Sequence, residues 1–291
     1  MATHQTHQYY EGASVVVTGA GSGIGRLMAL RIVEEGGRVA VWDINAAAAE
    51  ETVRQAEQAY RAAVGKPIHG DDATDSPRAV AFAVDVTDAA AVRAAAEKTI
   101  ATLGKVNVLI NNAGIVSGAP FEELTEAQVR RTFEVNTLSL FWTTKAFMPE
   151  LKRRRRAVVV TVASAAGIVA VAKQTDYAAS KFAAVGFTNA LRSELKKAGS
   201  HIKTLTVCPY YIDTGMFDGV TTKFPLLLPI LKEQAVADRI VEAVAKGRER
   251  LIMPPFAAVA GVVAALPPKI ADPIYGIFGL NEGMDHFTGR R

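Results

Sequence analysis

Residues 18–25 read Thr18-Gly19-Ala20-Gly21-Ser22-Gly23-Ile24-Gly25, between a β-rich run at 14–18 and an amphipathic segment at 24–35. Alternating glycines let a turn approach a pyrophosphate closely. The helix that follows presents free N–H groups to that charge at its N-terminus. The spacing is Gly-x3-Gly-x-Gly, and the six-residue GxGxxG pattern fails because its last position falls on Ile24. The reading therefore leans on the strand before the turn and the helix after it.

Working outward, β-rich runs alternate with longer, Ala-rich amphipathic segments, which is the pattern of β-α units around a parallel sheet. Seven runs are predicted as strands: 14–18, 38–43, 79–85, 106–111, 157–163, 202–208 and 250–253. Helices are predicted at 24–35, 46–64, 89–103, 125–151, 176–197 and 234–246. The expected fold is α/β: a Rossmann-like, doubly wound parallel sheet of about seven strands with helices on both faces. No Pro/Gly/Ser linker divides the chain, so residues 1–291 are read as one domain. Within it, 12–214 form the cofactor and catalytic core, 215–233 a substrate lid, and 250–291 a C-terminal strand and interface tail. The polar stretch 65–78 reads as a surface loop before the third strand.

Composition narrows the classes. The 291 residues hold 33 Lys+Arg against 29 Asp+Glu, 49% hydrophobic and 21% charged residues, and one cysteine. That is enough apolar material for a large core, so disorder and fibrous repeats are excluded. A lone Cys208 excludes a disulfide scaffold and a structural zinc site, and no His/carboxylate grouping has metal-ligand spacing, so no metal is expected. The sequence pI near 9.1 and the run Lys152-Arg153-Arg154-Arg155-Arg156 raise nucleic-acid binding. Those cations close a helical segment, where they complement its C-terminal dipole, and no basic stripe covers a whole face. No nucleic-acid partner is expected.

Residues 1–11 lack a basic-then-apolar signal pattern, and a cytoplasmic location is expected. The uncharged stretch 251–268 is interrupted by Pro254-Pro255 and Pro267-Pro268. The apolar remainder would reach roughly 16 Å as a helix against a hydrocarbon core of about 30 Å. No transmembrane span is expected there; a subunit interface or a pocket wall suits it, with shallow membrane contact as the alternative.

Asp43 ends the second predicted strand, 20 residues beyond Gly23. A carboxylate there accepts hydrogen bonds from an adenosine ribose diol and repels a 2′-phosphate. Neither Ser22 nor Ile44 supplies an offsetting cation, so NAD is expected over NADP. Tyr177 and Lys181 lie four apart on a helical segment and rise from one face. A Tyr hydroxyl with its ordinary pKa near 10 is a poor base at neutral pH. A nearby ammonium and an oxidised nicotinamide both favour the phenolate. Ser164, 13 residues before Tyr177, sits at the carboxyl end of the fifth strand, where ligands collect in open α/β sheets.

These residues and their order resemble the short-chain dehydrogenase/reductase family. The match comprises Thr18-Gly19-x3-Gly23-Ile24-Gly25, Asp85-Val86, Asn111-Asn112-Ala113-Gly114, Asn136, Ser164, Tyr177-x3-Lys181, and Pro209 with Thr214. It spans about two-thirds of the chain. The resemblance implies that Tyr177 is the acid/base and that Ser164 holds the substrate oxygen. Lys181 would lower the Tyr177 pKa and bind the nicotinamide ribose, and Asn136 would hold a relay water. It further implies that Gly19, Ser22, Gly23, Ile24, Gly25 and Asp43 bind the cofactor together with Asp85, Val86, Asn112, Ala113, Gly114, Pro209, Ile212 and Thr214. Homo-oligomers, dimers or tetramers, are implied as well.

The runs at 41–45 and 208–217 are similar to the retinol dehydrogenase and 17-beta-hydroxysteroid dehydrogenase subgroup, which acts on bulky lipophilic alcohols and ketones. Tyr210, Met216 and Phe217 are the expected substrate contacts, beside Ser164 and Tyr177. The expectation is an NAD-dependent oxidoreductase of a bulky hydrophobic secondary alcohol or its ketone. The alternatives are a lipophilic primary alcohol, a non-catalytic dinucleotide-binding regulatory protein, and an NAD-using epimerase or dehydratase.

Overall fold

A computed structural model describes residues 4–65 and 77–289. Most of the loop expected at 65–78 lies outside the described residues. The main sheet has seven parallel strands. They are β1 (Ser14–Thr18), β2 (Arg38–Asp43), β3 (Ala79–Ala83), β4 (Val108–Asn111), β5 (Val158–Val162), β6 (Lys203–Pro209) and β9 (Arg250–Met253), in the order β3-β2-β1-β4-β5-β6-β9. A two-stranded pair, β7 (Ile212–Asp213) and β8 (Leu231–Lys232), lies outside it.

Strand residues are apolar on both faces because helices cover both. Val15 and Val17 point into one core with Val108, Ile110 and Val160, while Val16 points into the other with Leu109 and Val159. The first core is closed by α2 (Gly23–Glu34), α3 (Ala46–Ala63) and α8 (Glu233–Ala245), and the second by α4 (Ala89–Leu103), α6 (Ser139–Lys152) and the end of α7 (Thr175–Lys197). The strand order reverses between β1 and β4, and such a switch point leaves a crevice beyond the carboxyl ends of the strands.

Several expectations change. The single helix at 125–151 is α5 (Glu126–Phe133), a π-helical segment (Glu134–Leu138) and α6. Asn136 and Thr137 in that segment are bonded to other elements, which holds the wider turn. Strand β3 stops at Ala83, short of the expected 85, where Asp85 accepts from Thr87. Strand β4 begins at Val108 rather than 106. An unexpected helix, α1 (His4–Tyr10), buries Tyr10, whose hydroxyl donates to the Val241 carbonyl at 3.1 Å.

The tail expected as an interface contains α9 (Ala257–Val263) and α10 (Pro268–Ile277). Pro268 starts α10 at a position that lacks an intrahelical amide partner anyway. No helix among the described residues is long and apolar enough to cross a membrane. In the basic run, Arg153 and Arg154 pair with the buried Glu150 of α6, at 3.9 and 3.1 Å.

Candidate active site

The glycine turn is fixed by contacts that side chains would break. A Cβ on Gly25 would lie 2.2 Å from the Gly19 carbonyl oxygen and 2.6 Å from the Asn112 amide nitrogen. Asn112 in turn ties β4 to β1: its Nδ2 donates to the Thr18 and Gly19 carbonyls at 2.9 and 3.2 Å, and its backbone N–H donates to Thr18 Oγ1 at 3.0 Å. The Asp43 carboxylate accepts from the Gly21 N–H at 2.8 Å and the Asn45 N–H at 2.9 Å, which seats it beside the turn. Burial alone would raise Asp85, but hydrogen bonds from Thr87 and the Arg131 guanidinium hold it below the usual carboxylate range.

One long groove is lined by every residue that the sequence assigns to the cofactor, from Gly19 and Asp43 through Asp85, Val86 and Gly114 to Tyr177, Lys181, Ile212 and Thr214. It also takes in Arg131 and Ile44, which sequence reasoning did not nominate. Asn136 stands outside the groove wall. Its Nδ2 donates to the Ile115 carbonyl at 2.9 Å and to Ser180 Oγ at 3.0 Å, and its Oδ1 accepts from the Ile115 N–H at 2.9 Å. A Cβ on Gly114 would sit 3.3 Å from Lys181 Nζ and 3.4 Å from Asn136 Oδ1, so a larger residue would crowd the approach of these two groups.

Tyr177 and Lys181 rise from the first two turns of α7, and both are buried. Lys181 Nζ donates to the Val162 carbonyl at the end of β5 at 3.0 Å and lies 5.6 Å from the Tyr177 ring centroid. Burial lowers the Lys181 ammonium to about 8, slightly opposed by Cys208. Burial also pushes the Tyr177 phenol up to about 12, opposed by a hydrogen bond from Ser164. The Tyr177 shift is thus upward, against the direction expected from Lys181, and the group that opposes burial is Ser164. Cys208 is buried and its thiol is pushed up to about 11, which suits packing rather than nucleophilic chemistry.

A second cavity holds about 980 Å³ of space, part of it open to solvent. Its walls are apolar and come from the β5–α7 connection (Val169, Val171), from Leu228, and from α9 and α10 with Phe256 and Phe278. The apolar tail thus walls a pocket. Ser164, Tyr177, Tyr210 and Phe217 line both cavities, so the two meet at the Ser–Tyr pair. Met216 lines the groove and not the apolar cavity. Sequence reasoning allowed 251–268 a pocket wall and named Tyr210 and Phe217, but it missed Val169, Val171, Gln174 and the α10 residues, which carry no motif.

The model of the short chain dehydrogenase family matches residues 13–224. The chain is 40% identical over 250 residues to short-chain dehydrogenase/reductase family 16C member 6 of Bos taurus, covering 86% of this chain and 74% of that protein. It is 37% identical over 286 residues to epidermal retinol dehydrogenase 2 of Mus musculus, covering 96% and 86%. Among solved structures it resembles 7 alpha-hydroxysteroid dehydrogenase complexed with NADH and 7-oxo glycochenodeoxycholic acid, with TM-score 0.70 and 25% identity over 87% of this chain and 96% of that one. A groove at the sheet's switch point, a Ser-Tyr-Lys set in its lining and this length of matched sequence lead to one conclusion: the chain belongs to the short-chain dehydrogenase/reductase family of oxidoreductases.

Proposed function

We propose that the protein transfers a hydride between NAD(H) and a bulky hydrophobic secondary alcohol or its ketone, with Tyr177 as the acid/base. The observation that carries this reading is the junction of the two cavities at Ser164 and Tyr177. A reaction between a dinucleotide and an apolar substrate needs its proton carrier at such a junction. The retinol and hydroxysteroid dehydrogenases among the similar proteins support a bulky lipophilic partner. A lipophilic primary alcohol fits the same cavity.

The groove suits a dinucleotide: the turn around Gly25 has no room for a Cβ, and the Asp43 carboxylate stands beside it. Asp43 would bind the adenosine ribose diol and disfavour a 2′-phosphate, which supports NAD over NADP. When bound, the nicotinamide supplies the hydride donor or acceptor and, oxidised, a positive charge. Ser164 holds the substrate oxygen, and Tyr177 gives that oxygen its proton in reduction or takes it in oxidation. With the phenol near 12, Tyr177 stays protonated at neutral pH and is ready to donate. Lys181 holds the ribose hydroxyls and draws on its Val162 bond for position. The relay role of Asn136 would use the acceptor site that Ile115 leaves on Oδ1.

Loss of reduced-nicotinamide absorbance tests the reading, with NADH or NADPH and a panel from small aliphatic to polycyclic ketones. The expected result is turnover with NADH on the bulky members. Tight NADH binding with no turnover on any member would leave a binding protein.

A further inference from the structure

Gln174 is the N-cap residue of α7, yet its side chain makes no capping bond. Ser, Thr, Asp and Asn suit that position because their oxygen satisfies a free helix amide. Gln174, only 1% exposed, instead lines the apolar cavity, where its Nε2 donates to the Tyr211 hydroxyl at 3.3 Å. A carboxamide has two donor hydrogens and an oxygen with two lone pairs, and Tyr211 accounts for one donor. Having accepted that bond, Tyr211 still has its own O–H to donate. Unused polar capacity against an apolar wall is unfavourable. A Met of similar length would cover the wall without that penalty.

The backbone leading to Gln174 is also unusual. Lys173 has φ 59°, and among the described residues no other non-glycine residue has a positive φ. Such a conformation persists where the surroundings impose it. The C-terminal segment meets this turn through two exposed contacts: Lys173 Nζ pairs with Asp285 Oδ1 at 3.1 Å, and the Ala172 N–H donates to Asn281 Oδ1 at 3.3 Å. Gln174 and Tyr177 are three apart at the start of one helix and share a face. The Phe217 ring stands edge-on to both Tyr177 and Tyr211, with centroids 5.8 and 5.2 Å away.

We propose that Gln174 and Tyr211 form a second polar anchor in the substrate cavity, which binds a hydroxyl or carbonyl oxygen that the substrate carries away from its reacting carbon. The inference rests on the oxidoreductase reading and narrows its substrate class to bulky hydrophobic molecules with two oxygen functions. Tyr211 donates to that oxygen, and the Gln174 amide adds a donor to a carbonyl or an acceptor to a hydroxyl.

The test is a series of saturated polycyclic ketones: a monoketone, and the same skeleton with one further hydroxyl at successive ring positions. Each is assayed with NADH on the wild type, Gln174→Met and Tyr211→Phe. At one hydroxyl position the wild type is expected to show kcat/KM at least about tenfold above the monoketone, mainly through KM. That ratio falls to near one in both variants. Because the ratio is taken within each protein, a general loss of activity cancels. A wild-type ratio near one at every position, or a preference that both variants keep, overturns the anchor and leaves the oxidoreductase reading intact. Failure of the wild type to reduce any member overturns that reading and this one with it.

Discussion

Replacing Lys181 by Met is expected to make the protein more stable while removing its turnover. Burial holds the ammonium at about 8 against an ordinary 10.5, which corresponds to roughly 3 kcal/mol of destabilisation while the group is charged. Met fills a similar length without the charge, but the bond to the Val162 carbonyl is lost and that carbonyl is left buried, a cost of about 1–2 kcal/mol. The net expectation at neutral pH is a gain of about 1–2 kcal/mol. Its pH dependence fixes the cause. Below about 8 Lys181 is charged in both folded and unfolded chains, and the burial penalty is present in full. Between about 8 and 10.5 the folded protein has lost its proton while the unfolded chain still holds one, so the wild type gains stability as pH rises. The advantage of the variant therefore shrinks across that window. Urea unfolding followed by the fluorescence of Trp42 and Trp142, at about pH 7 and about pH 10, measures both values. A variant less stable than the wild type at neutral pH, or an advantage equal at both pH values, would refute the argument that burial of the charge sets the Lys181 pKa.

Tyr177→Phe is expected to lower kcat about 10²- to 10⁴-fold while NADH still binds, as a fluorescence titration will show; retained turnover removes Tyr177 from the proton step. Because the phenol sits near 12 and the Lys181 ammonium near 8, kcat for ketone reduction is expected to stay level from about pH 5 to about pH 7, and a tenfold fall centred near 6 would assign the proton to another group. Asp43→Ala should reduce the preference for NADH over NADPH at least about tenfold in kcat/KM, and an unchanged ratio would place the ribose elsewhere. Gly25→Ala puts a methyl against the Gly19 carbonyl and Asn112, and should cost about 1–3 kcal/mol in a melting experiment and most of the NADH affinity.

Legibility in the sequence followed the kind of signal each element carries. Strands β1, β2 and β9 have the predicted bounds because apolar runs between turn residues mark buried parallel strands. That the candidate cofactor residues would gather was legible because glycines, an acid at a strand end and a Tyr-Lys pair are marked by spacing, and the structure places them along one groove. The π-helical segment at Asn136 was not, since its cause is long-range bonding to Ile115 and Ser180 rather than local pattern. The residues at 4–10 look polar, and the burial of Tyr10 depends on α8 arriving from the other end of the chain. Gln174 gave no signal at all: its meaning comes from Tyr211, 37 residues away.

The apolar cavity's outer wall comes from helices beyond β9, the edge strand of the sheet, while Ser164, Tyr177, Lys181 and the glycine turn belong to the sheet's own strand ends and crossovers. The groove and the apolar cavity are thus built largely from different stretches of polypeptide, joined at a few rings around Phe217. Changes confined to the 38 residues after Met253 would therefore reshape the apolar cavity while leaving the strand ends and crossovers around Ser164 and Tyr177 as they are.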